Sequence, residues 1–105
     1  MRRGEVWLCT LNPTIGREIQ KTRPCLIVSP DELNQRSPVM IVAPLTSGSR
    51  PARFRVAVQF GGKDGLILPD QIRTLDRQRL VKRLGAVDDS TLSAVLAILT
   101  DMFAA

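Results

Sequence analysis

Histidine and tyrosine are both absent from this chain of 105 residues. Without histidine, the commonest acid–base group near neutral pH is missing. Any proton transfer must then use Asp, Glu, Lys, a hydroxyl or an arginine in an unusual role. Cysteine is scarce: Cys9 and Cys25 form no Cys-x-x-Cys pair, and no histidine completes a zinc set, so neither a metal nor a cofactor site is expected. Each cysteine lies in an apolar run and reads as a small buried hydrophobe. No apolar run approaches the ~18 residues of a membrane span. Met1-Arg2-Arg3 is followed at once by Gly4-Glu5 rather than by an apolar signal core. No membrane association is expected, and the cytoplasm is the expected compartment.

What is present is basic and foldable. The net charge is +5 and the pI about 10.2, which suits an anionic partner such as nucleic acid or an acidic protein. A hydrophobic share of 44% supports a core, and no linker or repeat divides the chain, so residues 1–105 read as one domain.

Strand signals dominate. Glu5–Leu11 reads as a strand, broken by the turn residues Asn12–Gly16, and the polar residues from Arg17 to Arg23 read as an exposed loop. Cys25–Ser29 is a second strand, buried on both faces, followed by a helical turn at Pro30–Asn34. Val39–Leu45 is a third strand, and the polar stretch Thr46–Arg53 follows it. Phe54, Val56, Val58 and Phe60 alternate with polar or small residues, Gly61–Gly65 reads as a hairpin turn, and Leu66–Leu68 as a short strand. Asp76–Leu84 fits either helix or strand. A closing helix starts near Asp88, Asp89 or Ser90, with Leu92, Val95, Leu96, Leu99, Met102 and Phe103 at helical spacing and an almost wholly apolar circumference. The expected architecture is mainly β with a C-terminal helix, a small antiparallel barrel or sheet.

Three blocks in register carry a family resemblance. Residues 3–28 read R-G-E-V-W-L-C-T-L-N-P-T-I-G-R-E-I-Q-K-T-R-P-C-L-I-V. Val42–Ser47 ends in Thr-Ser, and Asp70–Asp76 reads D-Q-I-R-T-L-D. Together they resemble the MazF/PemK family, also called Kid, of mRNA interferase toxins. The resemblance implies an SH3-like barrel and a homodimer with RNA bound at the dimer interface. It also implies sequence-selective, metal-independent cleavage of single-stranded RNA. The 2′-hydroxyl attacks the adjacent phosphorus, leaving a 2′,3′-cyclic phosphate and a 5′-hydroxyl. A cognate antitoxin with an acidic, disordered C-terminal tail would block the site.

The same resemblance assigns roles. Arg23, in the Arg-Pro pair, matches the catalytic arginine, and its fork of donors suits a phosphate. Thr46 matches a catalytic threonine, where a hydroxyl donates to a phosphate oxygen or orients the 2′-hydroxyl. Glu18 and Asp70 match carboxylates that different family members use as acid–base groups, and the sequence does not choose between them. Arg17, Ser47, Arg50, Arg53, Phe54, Gln71 and Arg73 are the candidate RNA-binding residues, with Arg55 a further backbone contact and Arg50–Arg55 a mobile lip. Core packing competes with base stacking at Phe54 and is expected for Trp7. Arg77, Arg79, Lys82 and Arg83 read as a solvated face. One branch of the family carries histidine at the position of Arg17 and arginine at that of Leu68, so its Asp–Arg–His mechanism cannot operate unchanged here.

Two other functions remain open at this level. Gyrase poisons of the CcdB type share the fold but act through a C-terminal Trp-Gly-Ile, whereas this chain reads Asp101-Met102-Phe103-Ala104-Ala105. A non-cleaving RNA-binding module would need the same charge but not the Arg-Pro and Thr-Ser blocks.

Overall fold

In a computed structural model that describes residues 1–18 and 21–105, alternating apolar positions build one curled antiparallel sheet. Its strands are β1 (Glu5–Thr10), β2 (Thr22–Ile27), β3 (Val39–Thr46), β4 (Val56–Phe60), β5 (Lys63–Ile67), β6 (Arg73–Asp76) and β7 (Leu80–Ala86). The order is β4-β5-β3-β2-β1-β7, with β6 pairing β3 along its first half. Helix α1 spans Asp31–Arg36 and α2 spans Asp89–Phe103; single 3-10 turns lie at Pro69–Gln71 and Arg77–Arg79.

The two faces of the sheet bury two cores, as period-two alternation requires. Met40 and Val42 of β3 join Cys9, Cys25, Ile27 and Leu75 on one face. Ala43 and Leu45 join Val6, Leu26, Ile67 and Val95 on the other, where α2 lies. The expected burial of both cysteines is found: each is a free thiol with no exposure. A hydrogen bond with Cys9 and burial push the Cys25 thiol pKa up, so that thiol stays protonated in the core.

Asp88 caps α2, its Oδ1 accepting from Thr91 N at 2.8 Å. The helix is less enclosed than its apolar circumference suggests. Val95 is its one fully buried residue, while Phe103 is 71% exposed.

Several boundaries differ from the sequence reading. β2 begins at Thr22, so Arg23 sits in a strand rather than a loop; Ile19 and Gln20 of the expected loop lie outside the described residues. Asp76–Leu84 resolves into the last residue of β6, a 3-10 turn and the start of β7. The turn expected at Gly61–Gly65 shrinks to Gly61 and Gly62, whose φ values of 60° and 77° suit a tight two-residue hairpin, and Lys63–Gly65 join β5. The sheet curls until Phe60 of β4 reaches β7. There a Cβ on Gly85 would crowd the Phe60 ring at 3.2 Å, and the φ of 155° at that position also favours glycine.

Candidate active site

The loop between β1 and β2 is closed at its base by two hydrogen bonds. Leu11 N donates to Lys21 O at 2.9 Å, and Lys21 N donates to Asn12 Oδ1 at 3.1 Å. Lys21 takes a left-handed φ of 69°, a reversal that lets the chain enter β2 directly. Arg23 is therefore placed by a strand, opposite Cys9 of β1, and is half-buried. A side chain anchored in a sheet holds its geometry better than one on a loop tip.

Across from it runs the end of β3. Cys25 pairs with Pro44, and carrying that register onward sets Arg23 against Thr46. Arg23, Pro24, Leu45, Thr46, Ser47 and the β4–β5 hairpin line a single cleft of about 220 Å³. Thr46 is 8% exposed. Its Oγ1 accepts from Gly48 N at 3.1 Å. That bond uses an oxygen lone pair and leaves the hydroxyl proton for an acceptor in the cleft. One charged fork and one oriented hydroxyl thus face the same space, a pairing suited to a phosphate.

The two candidate carboxylates line a second cleft of about 410 Å³, with Arg17, Gln71, Arg73 and Pro44. The four residues matched to catalytic positions therefore fall into two pairs, Arg23 with Thr46 and Glu18 with Asp70. The clefts adjoin along β3, because Pro44 lines one and Thr46, two residues on and on the same face, lines the other. Glu18 Oε1 accepts from Ile15 N at 2.6 Å, bending the loop back on itself. Asp70 is ion-paired with Arg55 at 3.2 Å.

The remaining candidates have mixed fates. Arg73 donates to Leu11 O at 2.9 Å and so braces the floor of the second cleft. In the stretch expected to form a lip, Arg55 reaches Arg50 O as well as Asp70, and Arg53 pairs with Asp101 of α2 at 2.9 Å. Phe54 lies under the Arg53 guanidinium, whose Cζ stands 4.7 Å from the ring centroid, and belongs to neither core. It precedes β4, so the alternation that suggested packing ends at Val56. Trp7 packs partly on the first core, and its indole N–H donates to Glu5 at 3.0 Å.

Arg77 and Arg79 are not solvated as expected. Arg77 donates to the carbonyls of Asn34 and Ser37, and Arg79 to those of Thr10 and Asn12, so both clamp loops. Lys82 and Arg83 do lie exposed on β7. Sequence reasoning missed Val58, Phe60, Lys63, Asp64 and Gly65 in the first cleft, because Lys63, Asp64 and Gly65 were absorbed into an apparent turn. Among the described residues, no group of three or more His, Cys, Asp or Glu side chains is arranged to hold a metal. No helix among them is long and apolar enough to cross a membrane.

Comparison with known proteins bears on this geometry. The family described as "PemK-like, MazF-like toxin of type II toxin-antitoxin system" matches residues 2–103. Endoribonuclease PemK of Escherichia coli is 42% identical over 106 aligned positions, covering 95% of this chain and 80% of that protein. The crystal structure of MazF from Deinococcus radiodurans superposes with a TM-score of 0.86 at 28% identity, covering 97% of this chain and 94% of that one. A mycobacterial endoribonuclease in complex with its cognate antitoxin superposes at 0.81 and 26% identity, covering 96% and 92%.

Proposed function

The chain belongs to the PemK-like, MazF-like toxin family of type II toxin–antitoxin systems, and from that premise we propose that it is an endoribonuclease cutting single-stranded RNA by attack of a 2′-hydroxyl on the adjacent phosphorus. The observation that carries the reading is Arg23 and Thr46 lining one cleft. RNA lying along the end of β3 meets both clefts. Arg23 grips the non-bridging oxygens of the scissile phosphate, and its charge stabilises the phosphorane as a further negative charge develops. The Thr46 hydroxyl, oriented by Gly48 N, donates to one of those oxygens.

Glu18 takes the 2′-hydroxyl proton. Asp70 is the weaker candidate, because its carboxylate is already engaged by Arg55 at 3.2 Å. The 2′-oxygen bonds to phosphorus, the bond to the 5′-oxygen breaks, and that oxygen takes a proton from water in the cleft. The products are a 2′,3′-cyclic phosphate and a 5′-hydroxyl, with no metal or cofactor required. Cleavage of messenger RNA halts translation and growth.

An antitoxin neutralises the protein, and the net charge of +5 supports an acidic tail as its blocking segment. The protein acts in the cytoplasm as a homodimer. Exposed Phe103 supports that assembly, since it rims an apolar groove with Ile41, Leu96 and Leu99 that a second subunit can cover.

The test is direct. Purified protein incubated with unstructured RNA in EDTA should leave cyclic-phosphate ends detectable by mass spectrometry. RNA left intact across many sequences overturns the proposal.

A further inference from the structure

The wall of the Arg23 cleft formed by the β4–β5 hairpin has no role so far. Its geometry follows from the turn. Two glycines with positive φ make a two-residue reversal, and such a turn fixes the register of the strands on either side. Phe60 therefore pairs with Lys63, and Val58 with Gly65. Paired residues share a face, so Lys63 and Gly65 lie on the side that carries Val58 and Phe60, and all four line the cleft.

Gly65 seats this wall. A Cβ there would stand 3.0 Å from the Thr46 carbonyl oxygen, tighter than nine in ten such contacts, so glycine lets β5 close on the end of β3 without displacing that backbone. The hairpin thus enters the cleft in fixed register, with Lys63 at its rim across from Arg23 and Thr46. Lys63 is exposed, and among the described residues no ion pair engages it. It does not serve the fold as Arg77 and Arg79 do. Lys63 and Arg23 line this cleft with one carboxylate, Asp64, which leaves its lining net positive and suited to an anionic backbone.

We infer that Lys63 is a second phosphate contact of the RNA site, gripping the backbone at a phosphate neighbouring the one held by Arg23. The inference rests on the proposed RNA-binding reading of this cleft. Lys63 holds substrate in place and takes no part in proton transfer.

The experiment uses the full chain and a single-stranded RNA with every 2′-hydroxyl methylated, which binds without being cut. Affinity is followed by fluorescence anisotropy across a salt series for wild type, Lys63→Gln, Lys63→Arg and Lys82→Gln, with circular dichroism as the check on folding. Each phosphate contact on single-stranded nucleic acid contributes about 0.7 to the slope of log affinity against log salt. Lys63→Gln should lower the slope by about that amount and weaken low-salt binding severalfold. Lys63→Arg should restore both, and Lys82→Gln, on the exposed far strand β7, should change neither. With unmodified RNA, Lys63→Gln should raise KM and leave kcat unchanged.

An unchanged slope in Lys63→Gln overturns the inference, as does an equal change in Lys82→Gln. A wild type that binds methylated RNA but leaves unmodified RNA intact sinks the nuclease reading while leaving Lys63 testable. A wild type that binds no RNA overturns both.

Discussion

Arg55 Nη2 stands 3.2 Å from Asp70 Oδ2, while Nη1 of the same guanidinium donates to the Arg50 carbonyl at 3.2 Å. One side chain thereby joins the connection between β3 and β4 to the 3-10 turn at Pro69–Gln71, at the edge of the carboxylate-lined cleft. The pair is only partly shielded, with side chains 20% and 32% exposed, so it contributes on the order of 0.5 kcal/mol or less to stability. Its larger effect is on Asp70, whose carboxylate it engages and orients.

That relationship separates the two carboxylates. Glu18→Gln should lower kcat by about 100-fold, the usual scale for removing a general base, while Asp70→Asn should leave kcat within about threefold. Single-turnover cleavage of one RNA by both variants decides the matter. If Asp70→Asn is the inactive one, the base is Asp70, and Arg55 is its positioning partner.

Arg23 requires more than a positive charge. Arg23→Ala should abolish cleavage while the circular dichroism spectrum stays native, because the side chain fills the cleft rim and not either core. Arg23→Lys keeps the charge but loses the planar fork, and should still cost about 100-fold or more in kcat. Near-normal turnover by either variant removes Arg23 from the mechanism.

Gly65 links packing to chemistry. An added methyl group 3.0 Å from the Thr46 carbonyl crowds it, so β3 and β5 must give slightly. Gly65→Ala should lower stability by about 1 to 3 kcal/mol, as overpacking does. It should also shift Thr46 relative to Arg23, so kcat should fall about tenfold or more at temperatures where the variant is still folded. Unaltered kcat in a destabilised but folded variant would show that the close approach serves stability alone.

The legible parts of this chain were those set by local pattern. Alternation announced β4, and a capping aspartate and helical spacing announced α2, while the family resemblance of the Arg-Pro and Thr-Ser blocks marked Arg23 and Thr46. What the sequence concealed was set by distant contacts. Lys63 and Gly65 look like turn residues, yet they extend a strand because the two-residue reversal needs only Gly61 and Gly62. Arg77 and Arg79 look solvated, but their targets are carbonyls more than 40 residues away, at Asn34 and at Thr10 and Asn12. The division of the candidate catalytic residues between two clefts also depends on how β3 presents Pro44 and Thr46, which no local pattern encodes.

Glu5 makes stability depend on acid. Burial alone would raise its carboxyl pKa, but hydrogen bonds from the Trp7 indole, Arg2 N and the Arg83 guanidinium, with the N-terminal ammonium nearby, lower it from 4.5 to about 2. A folded-state value below the unfolded one means the contribution is fully present above about pH 4.5 and fades as the pH falls toward 2. After allowance for solvent screening at half-exposed Arg83, the contribution is on the order of 1 to 2 kcal/mol. Urea unfolding at about pH 6 and about pH 3 should therefore show wild type losing more stability than Glu5→Gln, because only the wild type gives up this cluster on acidification. The comparison cancels the other carboxylates, which titrate alike in both proteins. Equal losses would mean that Glu5 is no better held in the folded state than in the unfolded chain.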